Sequence, residues 1–282
     1  MYKITEKKNL GNQIIQIDVH APSIASKALA GQFIIVRQDE FAERIPLTIA
    51  DYNREKGTIT LVFQAVGFST QALMTLSEGN TILDVVGPLG MPTEIEQYGT
   101  VVCIGGGVGI APVYPIAKAL KAAGNRVIAI IGARNEELLF LEKEMASVSD
   151  VCYIATDDGS VGVKGFVTDL LQEVIQKESI DHLWAIGPMV MMKAVSETTR
   201  PFNIKTTVSL NPIMVDGTGM CGGCRVQIGT DTKFACVDGP EFDGHLVDFD
   251  LAMRRAAVYK EDEKKAVEQH ECKCGGAGLC QH

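Results

Sequence analysis

Apolar residues in the first 95 positions recur in short alternating or continuous runs, at 2–6, 13–19, 32–37, 46–51, 58–64 and 81–86, with turn-forming residues between them. Six such runs in succession predict strands of a small antiparallel barrel. One helix interrupts them: Ser69 and Thr70 can cap a segment in which Ala72, Leu73 and Leu76 share a face. After Gly99 the texture changes. Apolar strands expected at 101–104, 127–131, 151–156 and 183–186 alternate with helices at 111–122, 138–146, 166–176 and 189–198. That alternation predicts a parallel, doubly wound α/β layer. The expected organisation is a barrel over 1–97, an α/β domain over 98–205 and a cysteine loop with short strands such as 225–228 over 206–248. A last region, 249–282, holds a helix at 249–268 and a Cys, Gly and His tail from 271.

With 282 residues, 46% of them hydrophobic, the chain can bury cores for two domains. Its net charge of -9 argues against a general attraction to nucleic acid or anionic membrane. The best apolar stretch, 183–192, is broken by Gly187 and Pro188, so no membrane span is expected. The charged start has no apolar secretory core, and a cytoplasmic location is expected. Six of the eight cysteines lie beyond residue 220 at metal-like spacing, which reads as reduced ligands rather than disulfides. Cys103 and Cys152 fall in apolar strands and read as core.

The phosphate-binding candidate is Gly105-Gly106-Gly107-Val108-Gly109, between a buried strand and a helix. Bare amides and the positive end of the helix can meet a pyrophosphate there, although such a turn also serves as a tight connection. The third α/β strand runs into Asp157 and Asp158, whose carboxylates suit a ribose 2′-hydroxyl and repel a 2′-phosphate, favouring NAD(H) over NADP(H). Either aspartate can equally cap a turn. Gly187 and Pro188 end the fourth strand at the same carboxyl edge. In the barrel, Arg44 can pair with a pyrophosphate, and Pro46, Leu47 and Thr48 open a strand whose Thr hydroxyl can reach a flavin edge. Gly67, Ser69 and Thr70 present amides and hydroxyls at a helix start, either a second anion site or a plain N-cap.

Asp216, Cys221, Cys224 and Cys236 follow D-x4-C-x2-C-x11-C, a plant-type [2Fe-2S] spacing with its first cysteine replaced by aspartate. Glycines at 217, 219, 222 and 223 let the loop bend round a cluster. A carboxylate still binds ferric iron, and a harder oxygen donor shifts the reduction potential. A structural Cys3Asp zinc site is the alternative. The tail residues His270, Cys272, Cys274, Cys280 and His282 read as flexible or partner-covered, with a further metal site as the alternative.

These pieces, with Gly31-Gln32-Phe33, Gly87-Pro88-Leu89-Gly90 and Gly132-Ala133-Arg134-Asn135, resemble the ferredoxin-NADP reductase superfamily over residues 1 to about 260. The branch is that of dihydroorotate dehydrogenase electron-transfer subunits, and within it the small subunits of bifurcating NADH-dependent reduced ferredoxin:NADP oxidoreductases. The resemblance implies FAD on the barrel, NAD(H) on the α/β domain and a [2Fe-2S] cluster leading toward a partner. It also implies Asp216 as a cluster ligand. The chain departs from the usual flavin motif: Arg44 stands one residue early, Ile45 takes the arginine position and Leu47 replaces an aromatic residue. The implied partner is a larger flavin and [4Fe-4S] subunit that handles NADP(H) and ferredoxin, with ferredoxin contact indirect. Flavin chemistry needs no catalytic acid, base or nucleophile from the protein. Two further readings are an electron-transfer subunit of dihydroorotate dehydrogenase and an NAD-binding module with structural zinc.

Overall fold

A computed structural model describes the backbone of residues 1–273 and side-chain surroundings to residue 268. The tail expectations on Cys274, Cys280 and His282, and on the side chains of His270 and Cys272, lie outside these described residues. The first half contains β1 (Tyr2–Gly11), β2 (Ile14–His20), α1 (Pro22–Ala25), β3 (Phe33–Arg37), β4 (Ile45–Asn53) and β5 (Thr58–Gln64). It is completed by α2 (Phe68–Thr75), β6 (Thr81–Ile82) and β7 (Asp84–Leu89). Its seven strands form an antiparallel sheet in the order β6-β1-β2-β5-β4-β3-β7, curled into a nearly closed barrel. Alternation sorts the side chains: Ile15, Ile17 and Val19 of β2 and Ile59, Leu61 and Phe63 of β5 fill the interior. Ile14 and Val62 face outward, into a core shared with the second half.

The second half runs β8 (Thr100–Gly106), α3 (Ile110–Ala122), β9 (Arg126–Ala133), α4 (Glu142–Ser147), β10 (Val151–Thr156) and β11 (Val163–Lys164). Next come α5 (Val167–Lys177), β12 (His182–Ile186), α6 (Met189–Thr199), β13 (Lys205–Ser209), β14 (Arg225–Ile228), β15 (Asp231–Phe234) and β16 (Glu241–Asp243). Helices α7 (Phe249–Ala256) and α8 (Lys260–Lys273) close the described chain. The sheet order is β11-β10-β9-β8-β12-β13-β16, parallel except for β16, which pairs antiparallel with β13. Strand order reverses between β8 and β12, so a crevice opens at their carboxyl ends, where open α/β sheets bind ligands. One sheet face packs with α3 and the outer barrel residues Ile14, Ala30, Ala50 and Val62. The other packs with α5 and α6, and also with Phe33, Ile35, Cys224 and Cys236.

Three expectations are corrected. The helix expected at 138–146 starts only at Glu142, because the backbone is extended at Leu139 and turns left-handed at Leu141, φ 57°, a conformation that a right-handed helix cannot carry through. The helix expected over 249–268 is two helices: α7 packs Phe249 and Ala252 inward, the chain turns at 257–259, and α8 is polar. The segment read as a cysteine loop also contributes β13 and β16 to the main sheet. No helix among the described residues is long and apolar enough to cross a membrane.

Candidate functional site

The glycine turn lies at the β8–β12 crevice, and its glycines divide by what surrounds them. A Cβ on Gly109 would collide with the Ile186 carbonyl oxygen, and one on Gly106 would collide with the Met191 sulfur. Gly109 is bare because the turn touches the backbone at the end of β12, whereas Gly106 faces the Met191 side chain at the start of α6. Gly107 differs: its φ is 53° and no heavy atom lies within 4 Å of a built Cβ. It faces open space at the strand-to-helix turn, as a residue approached by a ligand would. The structure thus brings Gly105, Gly106, Gly107, Val108 and Gly109 together with Gly187 and Pro188, and it leaves an open edge at Gly107.

Asp157 and Asp158 follow β10 and hang from β9, their amides donating to the carbonyls of Ala133 and Arg134, each at 3.2 Å. Their side chains do different things. Asp158 Oδ1 accepts from the Ser160 amide at 2.9 Å and the Ser160 hydroxyl at 2.7 Å, which hold its carboxyl below the usual range. Ser160 Oγ in turn accepts from the Glu136 amide at 2.8 Å. Asp158 is therefore the turn cap, and Asp157 is the exposed carboxylate left facing solvent.

In the barrel, Pro46, Leu47 and Thr48 sit in β4, paired with Ile35, Ile34 and Phe33 of β3. Thr70 Oγ1 accepts from the amides of Val66 and Gly67 at 3.2 and 3.1 Å, closing the start of α2, and Ser69 Oγ donates to Glu43 Oε2 at 2.9 Å. Between β3, the 38–45 loop and α2 lies a hollow of about 130 Å³ lined by Val36, Phe41, Ile45, Phe68 and Leu73. The buried Gln38 Oε1 borders it with no hydrogen-bond partner among the described residues. A buried acceptor left unpaired is costly, so a bound group carrying a donor fits this hollow. Its size admits part of a flavin nucleotide rather than the whole. Nothing in the sequence marks Gln38. Arg44 points elsewhere: its Nε donates to the Val215 carbonyl at 2.9 Å.

Val215 precedes the cysteine loop. Asp216 Oδ1 accepts from the Thr218 amide at 2.9 Å and Oδ2 from the Cys221 amide at 3.0 Å, which lowers its pKa. Gly217 makes the first bend at φ 76°, with its missing side chain replaced by the packed ends of Leu89 and Ile35. Cys221 Sγ accepts from the Gly223 amide at 3.5 Å. Cys224 Sγ donates to Cys236 Sγ at 3.2 Å, and burial together with Cys224 pushes the Cys236 thiol up to about 12. All three cysteines are free thiols. Among the described residues no three His, Cys, Asp or Glu side chains converge as a single metal ion requires. Asp216 is tied to the Cys221 amide and Cys224 to the Cys236 thiol, so one loop carries three thiols and a carboxylate, donor types that suit an iron-sulfur cluster.

One more polar residue is invisible in the sequence pattern. Glu241, on β16, accepts a 2.5 Å hydrogen bond from Thr93 Oγ1 where the barrel, the connector and the sheet meet. Burial pushes its carboxyl up to about 7, against the bonds from Thr93 and the Trp184 indole.

Residues 211–248 match the iron-sulfur cluster binding domain of dihydroorotate dehydrogenase B, and residues 103–197 match an oxidoreductase NAD-binding domain. A Thermotoga maritima homologue of the electron-transfer subunit of dihydroorotate dehydrogenase B (NAD(+)) is 49% identical, covering 95% of this chain and 94% of the relative. That electron-transfer subunit from Bacillus cereus is 32% identical over 85% of this chain and 94% of its own length. A chain of the NADH-dependent reduced ferredoxin-NADP oxidoreductase, solved for insight into flavin-based electron bifurcation, is 48% identical. It superposes with a TM-score of 0.91 over 95% of this chain and 97% of its own.

Proposed function

The chain belongs to the family of dihydroorotate dehydrogenase B electron-transfer subunits, and we propose that it serves as the NADH-oxidising subunit of a ferredoxin:NADP oxidoreductase. The observation that carries this reading is the near full-length likeness to the oxidoreductase chain, at 48% identity. FAD, NAD(H) and a [2Fe-2S] cluster are the cofactors of this architecture; bound here, flavin exchanges a hydride with the nicotinamide and the cluster carries single electrons. The chain's residues bind and orient. Gly105 to Gly109, with Gly187 and Pro188, would cradle the pyrophosphate of NAD(H), and Asp157 would accept from its ribose. Thr48, Gly67, Ser69, Thr70 and Gln38 would hold FAD. Asp216, Cys221, Cys224 and Cys236 would hold the cluster, and the cluster-domain match over 211–248 speaks for iron-sulfur rather than zinc.

As an electron-transfer subunit the chain works with a larger partner. We take that partner to be a flavin and [4Fe-4S] protein that handles NADP(H) and ferredoxin. The second reading, service to a dihydroorotate dehydrogenase, is favoured by the Bacillus relative. The test is an anaerobic visible spectrum of the purified chain before and after NADH or NADPH, with metal analysis and identification of the copurifying subunit. Flavin and iron-sulfur bands bleached faster by NADH are expected. A colourless, zinc-containing protein overturns the redox reading, and a partner that oxidises dihydroorotate selects the second one.

A further inference from the structure

The cysteine loop is held from two sides by guanidinium groups. Arg44, ahead of β4, reaches across 171 residues of sequence to donate Nε to the Val215 carbonyl at 2.9 Å. Arg255, on α7, donates Nη2 to the Gly223 carbonyl at 3.4 Å, a long hydrogen bond. Val215 immediately precedes Asp216 and Gly223 immediately precedes Cys224, so each arginine holds the backbone one residue ahead of a proposed ligand. Both side chains are half-buried.

We propose that Arg44 and Arg255 are positioning residues of the cluster: one from the barrel and one from α7, they clamp its loop and bias it toward the reduced state. The proposal rests on the reading of Asp216, Cys221, Cys224 and Cys236 as cluster ligands. Reduction adds one negative charge at the cluster, and a fixed cation nearby favours the form that carries more of it. A carboxylate ligand is a hard donor, and a hard donor favours ferric iron. The Arg44 and Arg255 guanidinium groups oppose that preference, beside Arg225, whose Nη1 lies 3.9 Å from a Cβ built on Gly222. The assignment also accounts for the position of Arg44, one residue early for a flavin-diphosphate contact: from there it serves the loop.

The test uses the full-length chain, isolated anaerobically with its flavin and cluster, as wild type and as Arg44→Gln, Arg44→Lys, Arg255→Gln and Arg255→Lys. Iron and flavin contents, the electron-spin spectrum of the reduced cluster and its midpoint potential are measured for each. The expected result is a more negative potential in both Gln variants at unchanged iron content, with the Lys variants returning most of the way to wild type. Gln and wild-type potentials that coincide overturn the proposal. So does an Arg44→Gln chain that loses flavin while its cluster potential stays put, because that guanidinium would then belong to FAD. If a Gln variant fails to fold, its Lys counterpart decides: a potential shifted as far as that of the other arginine's Gln variant overturns the role of charge. A wild-type chain without a [2Fe-2S] spectrum defeats the ligand reading itself, a failure visible before any variant is made.

Discussion

Two buried side chains tilt stability in opposite directions as pH changes. Glu241 ionises near 4.5 when free and near 7 in the fold, so between those values the native state binds more protons and stability falls as pH rises. His182 is stacked on Trp184 at 3.7 Å and bonded through Nε2 to Thr207 Oγ1 at 2.8 Å, and burial aided by Lys205 drops it from 6.5 to about 3. There the unfolded chain protonates first, so stability is lost as pH falls from 6.5 toward 3. Glu241→Gln removes the first slope: urea unfolding at pH 5 and pH 8 should show the variant gaining about 2 kcal/mol on wild type at the higher pH. An equal difference at both pH values would mean that Glu241 is already ionised in the fold. At this scale the sequence reveals chemistry only where residues cluster along the chain. The cysteine motif did so. Glu241 and Arg255 did not, because their partners arrive from distant elements; Gln38 did not, because only the fold shows its oxygen buried and unpaired; and choosing between Asp157 and Asp158 required knowing where Ser160 sits.

Strands β8, β9 and β12 were readable because each is a largely apolar run buried on both faces of a parallel sheet. Short or composite elements were not. β16 spans only Glu241–Asp243, too short to show a period, and β13, Lys-Thr-Thr-Val-Ser, carries a single apolar residue and buries a threonine beside it on the same face. The run from Leu138 to Leu141 suggested a helix because four apolar residues in a row carry no period of their own. The turn between β8 and α3 was legible, but its division of labour depends on what faces each glycine. Gly109→Ala should cost roughly 2–4 kcal/mol, because the methyl meets the Ile186 backbone rather than a side chain that can move. Gly107→Ala meets open space, so its cost should be about 1 kcal/mol of left-handed strain. Its larger effect should be weaker NADH binding, since the methyl occupies the open edge. Thermal melts and NADH titrations of both variants separate the two roles, and a stable Gly109→Ala chain would refute the packing account.

Across the whole molecule, apolar packing crosses the division that the sequence texture suggested. The face of the sheet behind α3 is continuous with the barrel through Ile14, Ala50 and Val62, and Lys118 on α3 meets Asp51 of β4 at 3.0 Å. The opposite face is continuous with Phe33 and Ile35 of the barrel and with two of the cysteines. Among the described residues, only the barrel interior is a core by itself. Far-ultraviolet circular dichroism and flavin release should therefore report a single coincident unfolding transition; two separated transitions would show that the halves melt independently. The same packing gives the cysteine loop a dry half and a wet half. Cys224 and Cys236 are sealed in the core, while Cys221 is exposed beside Met220, which is 89% exposed. In a chain loaded with the proposed cluster, oxygen and chelators would therefore arrive first on the Asp216 and Cys221 side, and a cover over Met220 would slow them.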